Sequence, residues 1–552
     1  MYSSRDDRPR ESVTHTVLNQ PPLRADLDEY STNVALTEAV AAFDGGWASA
    51  ELERTGTLVG REDFQHDAAL ANTFSPRLQT HDRWGHRVDE VEFHPSYHRI
   101  MGAAIAAGAH TSAWADPGPG ANVARAAQFH LFAQVEAGHA CPVSMTHAVV
   151  PSLKTTPALA DVWLPKVYSR EYDPDLRDPA TKNSALFGMA MTEKQGGSDV
   201  RANTTRAVAQ QDGTYELTGH KWFCSAPQSD AFLVLAQVGL APEDEGLTCF
   251  LVPRILPGGR RNPFAIQRLK NKLGNTSNAS SEIELNGTVG WLVGEEGRGV
   301  RTIVEMVNRT RLDCVIGSTA GMRQAVAEAA WHTRRRSAFG SLLIDQPAMT
   351  NVIADLQLET EAATWTMIRL AAAADASQAN DAEAIAFSRL AQPVAKYWIC
   401  KRGPEHAYEA LECLGGNGYT EDFPLARRYR EQPVLAVWEG SGNVIALDVL
   451  RAMATTPEAI DAFANEIGQA RGAYPVLDAH LERTLTLMRT AEPRTARRVV
   501  EAMALALQAS TLTRYASAEV ADAFVAARVE DSGLMYGSLP TRVDVEGLAA
   551  RA

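Results

Sequence analysis

Between about Ala185 and Trp291 the chain changes its hydrophobic period, and nothing else in its 552 residues constrains the fold as strongly. Short β-rich runs crowd into this stretch: Thr204 to Ala209, Thr214 to Thr218, Phe232 to Val238, Leu247 to Val252 and Ser281 to Leu285. Gln211-Asp212-Gly213 separates the first two, and Asp and Gly tolerate the positive φ of a tight hairpin. Strands of this length and spacing suggest an antiparallel barrel or sandwich. Both flanks are helical. Before it lie Ala-rich runs such as Met101 to Ala109 and Val123 to Ala137, broken by loops at Pro117 to Gly120 and Asp173 to Asp178. After Gly299, Val352, Ile353, Leu356, Ala363, Met367 and Leu370 recur near i, i+3/i+4, i+7, the stripe of a long amphipathic helix. Pro393 starts or kinks another helix, Gly415-Gly416 ends one, and Asn443 to Ala454 forms a further one. The expectation is a mainly α protein with a central antiparallel β barrel. A helical N-terminal domain spans 1–184, its first twenty residues a mobile arm. The β domain spans 185–298, a helical bundle 299–455, and an extra helical domain 456–552.

A chain of this length holds more than one core, since single domains stop growing at roughly 250–300 residues. Its net charge of −14 argues weakly against nucleic acid as the main partner. Six cysteines are scattered with no C-x-x-C pair, which argues against a zinc site or disulfide framework and for thiols in a reducing compartment. The polar run Ser3 to Ser12 is followed by no apolar signal core, and no uninterrupted apolar stretch approaches the ~20 residues of a membrane helix. A cytoplasmic enzyme without a membrane partner is the expectation.

Five segments carry chemistry, and three of them have a plainer reading beside it. Gly188 to Asp199 is a strand running into a Gly196-Gly197 turn. Its amides, with the hydroxyls of Thr192 and Ser198, suit a phosphate, although Gly-Gly-Ser-Asp is also an ordinary turn. Gly219-His-Lys-Trp-Phe-Cys-Ser225 offers aromatics that stack on a planar cofactor or simply join the core. Arg336-Ser-Ala-Phe-Gly340 with Gln346, and Leu414-Gly-Gly-Asn-Gly-Tyr419, come next. Last is Val437-Trp-Glu-Gly-Ser-Gly-Asn443. Its glutamate is either a general base in an apolar pocket, where desolvation raises a carboxylate pKa, or a first-turn acid complementing a helix dipole.

In this order the segments resemble the acyl-CoA dehydrogenase superfamily. The matching text is Met-Thr-Glu-x-x-x-Gly-Ser-Asp (191–199), Gly-x-Lys-x-aromatic (219–223), Arg-x-x-Phe-Gly (336–340), Gly-Gly-x-Gly-Tyr (415–419) and Glu-Gly-Ser (439–441). Within the superfamily the chain resembles the AidB branch, associated with DNA alkylation. Thr14 to Pro21, Leu273-Gly-Asn-x-Ser-Asn-Ala279, Cys400 to Gly403 and Trp438 to Asn443 carry that likeness. The resemblance implies N-terminal helices, a middle β barrel and a C-terminal four-helix bundle, assembled as a homotetramer around FAD.

By position, Met189, Met191 and Thr192 would border the flavin ring, and Gly197 and Ser198 its pyrophosphate side. Phe223 takes the place of a stacking Trp, with Cys224 beside it and Ser225 at the usual Thr. Arg336, Phe339, Gln346 and Gly416 would serve the FAD of a neighbouring subunit. Ser441 and Asn443 would hold the adenine side, with Trp438 beside the base. The resemblance makes Glu439 the catalytic base that takes an α proton from an acyl-CoA while hydride passes to flavin N5. Arg311 is the expected substrate contact, and the Thr310 before it leaves no alternative base there. Lys194-Gln195 and Glu412 depart from the common dehydrogenase pattern and agree with the AidB branch.

That branch also implies double-stranded DNA as a partner and protection of DNA from alkylation. Arg451, Arg494, Arg497 and Arg498 are the candidate contacts. Residues 456–552 carry ten Arg and no Lys against thirteen acidic residues, a net −3, and a solvated helix face is the competing reading.

Overall fold

A computed structural model describes residues 14–238 and 246–552. The first thirteen residues of the expected arm, and the connection after Val238, lie outside the described residues. The end of that arm is tethered: Asn19 exchanges hydrogen bonds with Ser337 at 2.8 Å each way.

The N-terminal section is helical with one interruption that the sequence reading missed. Strands β1 (Arg77–His81) and β2 (Arg87–Glu92) form a hairpin of mostly polar residues, invisible to a search for apolar alternation. The hairpin leans on the β domain, where Asp89 Oδ1 accepts from Ile266 N at 2.9 Å.

The β domain follows as β3 (Phe187–Ala190), β4 (Arg206–Ala209), β5 (Tyr215–Ser225), β6 (Ala231–Val238), β7 (Gly246–Pro253), β8 (Phe264–Leu269) and β9 (Ser280–Val293). The expected hairpin exists, with Ala209 opposite Tyr215 and Arg206 opposite Thr218. Five strands close into a barrel in the order β4-β5-β9-β7-β6. Five strands cannot alternate direction all the way round a ring, so one joint must be parallel. It is β4 on β6, at Arg206 opposite Gln237. β3 pairs in parallel with the start of β6, on the same edge that takes β4 at its end. β8, absent from the sequence reading, pairs with β9. Leu217, Phe232, Val234, Phe250 and Ile283 fill the barrel, as period-two alternation demands.

The helical bundle consists of Gly299–Thr333, Pro347–Gln378, Ala382–Glu412, and a fourth member made of two pieces, Leu425–Val437 and Gly442–Thr455. Pro393 lies inside the third helix, which begins at Ala382 where Asp381 caps the amides of Glu383 and Ala384. The break in the fourth member holds Glu439 at φ 57° and Gly440 at φ 108°. The sequence from Leu425 to Thr455 reaches a mean hydropathy of 1.2 over an 18-residue window, yet only 17% of that window is buried.

The helices beyond Thr455, chiefly Pro457–Gly468, Pro475–Arg489 and Ala496–Tyr515, pack onto the bundle and share its core. Glu466 anchors them, taking Arg369 of the second bundle helix and Arg514 of the extra region, each at 2.8 Å.

Candidate active site

The barrel supplies one half of the site. β3 ends at Met189-Ala190 and the chain turns through Thr192 to Gly197, beside the end of β5. Trp222 N donates to Thr192 O at 2.8 Å, and Lys194 N to His220 Nε2 at 3.0 Å, so the two motif segments form one surface. A Cβ on Gly197 would stand 2.6 Å from Thr192 Oγ1, which explains the glycine. Met189, Met191 and Thr192 are half-buried and Ser198 is exposed.

What holds this surface is a pair the sequence reading did not connect. Glu193 is fully buried and accepts from Lys221 Nζ (2.7 Å), Thr204 N (2.7 Å), Thr205 N (3.1 Å), Gln195 Nε2 (2.7 Å) and the hydroxyls of Thr204 and Thr205 (3.0 and 2.6 Å). Burial opposes ionisation, but Lys221 and the hydrogen bonds outweigh it and hold the carboxyl at about 2. Lys221 also donates to Leu235 O at 2.7 Å. The Glu of the first motif and the Lys of the second are thus one buried ion pair, structural in role.

Past this clamp, Phe223 is 47% exposed, an unusual state for a phenylalanine at the end of a central strand. Cys224 is buried. Ser225 Oγ lies 3.3 Å from Ser280 Oγ, and Lys272 Nζ donates to Ser280 Oγ at 3.1 Å and to Asn278 O. Burial lowers the Lys272 ammonium to about 8. Asn278 is 1% exposed, and neither its amide nitrogen nor its amide oxygen has a partner among the described residues. Cys141 stands against Ser225, Asn278 and Lys272, and burial lifts its thiol to about 11. Lys272, Asn278 and Cys141, which the fold brings to this face, were not singled out from the sequence. The first two border or belong to a segment whose only signal was its likeness to one branch.

The bundle supplies the other half. Glu439 sits two residues before the N-cap of Gly442–Thr455, outside the first turn of that helix, which contains no acid. Its Oε2 is enclosed and unpartnered. Burial raises its pKa above the usual carboxylate value, against the opposing effects of the Thr310 hydroxyl, Arg311 and Lys396. Arg311 is buried, with Nε on Glu439 O at 3.1 Å and a terminal nitrogen on Asp448 Oδ2 at 2.8 Å. It holds the turn that carries the acid. Trp438 is half-buried beside it. Cys141 also feels the charge of Glu439, so it links the two halves.

Of the remaining expected residues, Ser441 and Asn443 follow Glu439 closely in the chain, and the others sit on separate elements. Arg336 donates to Asn19 O at 2.7 Å, and Gln346 Nε2 to Ala338 O at 3.0 Å. Phe339 stands at φ 55° on the tip of a short hairpin and is 100% exposed. Gly416 is exposed, with open space where a Cβ would be. Ser441 and Asn443 are exposed at the helix start. Asn443 Oδ1 accepts from Arg497 Nε at 2.8 Å, which places one of the four candidate DNA contacts beside an expected cofactor residue.

A barrel with an exposed aromatic ledge, joined to a bundle whose broken helix offers a desolvated carboxylate, defines the acyl-CoA dehydrogenase class. Residues 19–174 match the family model of the adaptive response protein AidB N-terminal domain. Residues 188–288 match that of the acyl-CoA dehydrogenase middle domain, and 297–454 that of its C-terminal domain. AidB of Escherichia coli (strain K12) is 43% identical over 522 residues, covering 94% of this chain and 95% of that protein. Acyl-CoA dehydrogenase family member 11 of Caenorhabditis elegans is 30% identical over 514 residues, 90% of this chain and 82% of that one. Among solved structures, Caenorhabditis elegans ACDH-11 in complex with C11-CoA superposes with a TM-score of 0.85 at 24% identity, covering 100% of this chain and 94% of that one. The chain belongs to the acyl-CoA dehydrogenase family, in its AidB branch. Membership makes it an FAD-dependent oxidoreductase by class.

Proposed function

We propose that the protein oxidises an acyl thioester, with Glu439 as the base. The observation that carries this reading is the enclosed, unpartnered Oε2 of Glu439 on a left-handed turn. A carboxylate so desolvated binds a proton more strongly than one in water, as abstraction from a weakly acidic C–H requires. Glu439 takes the proton from the carbon α to the thioester carbonyl and becomes the neutral acid. Arg311 fixes the backbone of the turn while this happens. The residues present fit FAD: a strand-end aromatic for its ring, the Thr192 and Ser225 hydroxyls, the Gly196-Gly197 turn, and the unpartnered Asn278 amide. When bound, FAD supplies the acceptor for the hydride that leaves the β carbon. The acyl-CoA held by the nematode structure supports the substrate class. Anaerobic addition of an acyl-CoA panel should bleach the flavin bands of the wild type and leave Glu439→Gln oxidised. A wild-type spectrum unchanged by the whole panel would overturn the reading.

Assembly belongs to the same proposal. The fully exposed Phe339, the exposed Gly416 and the little-buried 18-residue apolar window within 425–455 support a homotetramer, in which they meet a neighbouring copy. The second reading is a DNA-associated protective role. Arg451, Arg494 and Arg498 are exposed on the neighbouring helices Gly442–Thr455 and Ala496–Tyr515 and the turn before the latter, which favours it. Arg494 is paired with Glu492 at 2.6 Å, which weakens it. Duplex binding at low salt that falls on Arg451→Ala/Arg498→Ala would support this role, and no binding at low salt would end it.

A further inference from the structure

Lys396 lies in the middle of the Ala382–Glu412 helix and is 1% exposed. Among the described residues no carboxylate stands within ion-pair distance of its ammonium. A buried charge in that state is costly and calls for a reason. Its Nζ donates to Gly440 O at 2.5 Å and to Ala436 O at 3.3 Å. These two carbonyls bracket Trp438 and Glu439. Ala436 belongs to the last turn of a helix, where carbonyls lack intrahelical donors, and Gly440 follows the left-handed residue.

The groups facing the Glu439 carboxyl come from two bundle members and one N-terminal helix. Thr310, Arg311 and Cys314 lie on the first bundle helix, Lys396 on the third, and Cys141 on Ala140–Lys154. Arg311 is committed to Asp448, which also meets Arg389 at 3.4 Å. Lys396 is therefore the cation near Glu439 whose charge no other carboxylate neutralises.

We propose that Lys396 is a second positioning residue of Glu439 beside Arg311: it clips the carbonyls on both sides of the turn and supplies the carboxylate with its compensating charge. The inference rests on the reading of Glu439 as the base, but its test does not depend on turnover. The protonated-carboxyl infrared band of Glu439 is isolated in the FAD-loaded protein by subtracting the spectrum of the corresponding Glu439→Gln variant. That band is then titrated with pH in the wild type, in Lys396→Met and in Lys396→Gln. Removing the positive charge should move the midpoint upward by about one pH unit, a tenfold change in the protonation equilibrium. With a reducing acyl-CoA, the acid limb of the flavin-reduction rate should move by the same amount and the rate at high pH should recover. Lys396→Cys alkylated to an aminoethyl side chain should restore the wild-type midpoint.

An unmoved midpoint in whichever neutral variant folds overturns the proposal. So does a loss of rate equal at every pH, which would mark Lys396 as structural only. If instead Glu439→Gln still reduces its flavin normally, the base assignment fails and the titration alone decides the electrostatic link.

Discussion

Two glutamates in two family motifs meet opposite fates. Glu193 receives six hydrogen bonds, one from a buried lysine, and its pKa falls to about 2. Glu439 is given no partner at Oε2, sits on a strained turn, and its pKa rises. The first is a saturated carboxylate that fastens two loops into one surface. The second is an unsatisfied one with a free lone pair and an affinity for protons. Motif membership says that both matter, and hydrogen-bond accounting says how they differ. A buried acid with every oxygen occupied has no lone pair to offer a substrate, and one with an open oxygen is a candidate for chemistry that its surroundings must qualify.

The largest expected effect breaks the comparison on its chemical side. Glu439→Gln should slow flavin reduction by about 10²–10⁴-fold, the usual worth of a general base, with FAD content and fold retained. Stopped-flow absorbance reads this, and a rate within twofold of the wild type would make Glu439 a second structural acid. On the architectural side, Glu193→Gln should destabilise the protein by about 3–5 kcal/mol, because it leaves Lys221 buried and unpaired. The double variant Glu193→Gln/Lys221→Met should recover part of that in a denaturant titration. Equal losses in the single and double variants would mean that the pair contributes nothing as a pair.

The same contrast predicts opposite pH dependence. The stability from Glu193 is full above its unfolded pKa of about 4.3 and is lost as pH falls toward the folded value of about 2. That from Glu439 runs the other way: it is full below about pH 4 and is lost as pH rises through the raised folded pKa. Melting temperatures across pH should therefore show a shallower acid-side fall in Glu193→Gln and gain stability on the neutral side in Glu439→Gln. Superimposable curves for the two variants would erase the distinction. The smallest effect on stability is at the surface. Phe339→Asp should change the stability of the single chain by less than about 0.5 kcal/mol. It should nonetheless lower the assembled mass seen by light scattering, and an unchanged mass would remove Phe339 from the interface.

The barrel and its helical flanks were legible because a switch of period leaves its mark on every strand. The hairpin at 77–92 was not, because its residues are polar and their strand geometry comes from docking on the barrel. At the site, the segments around 191, 223 and 439 were readable as motifs. The sequence left Glu439 open between dipole partner and base, and the positive φ at 439 together with the N-cap at Ser441 places it outside the first helical turn, which favours the proposal that it is the base. The Glu193–Lys221 pair spans 28 positions and carries no local signal. Lys396 was silent for the same reason: a lysine on a helix reads as solvent-facing until its neighbours are known. Arg497 read as part of a basic cluster, yet it meets Asn443.

The backbone at Glu439 also bears on how such a site would decay. A non-glycine residue held in the left-handed region costs about 1–3 kcal/mol, and glycine or asparagine would relieve much of it. A lineage that kept this protein only as a scaffold would gain stability from either replacement, within reach of a few nucleotide changes and with no contact at Oε2 to lose. On the proposal that Glu439 is the base, drift at this one codon would track disuse of the reaction.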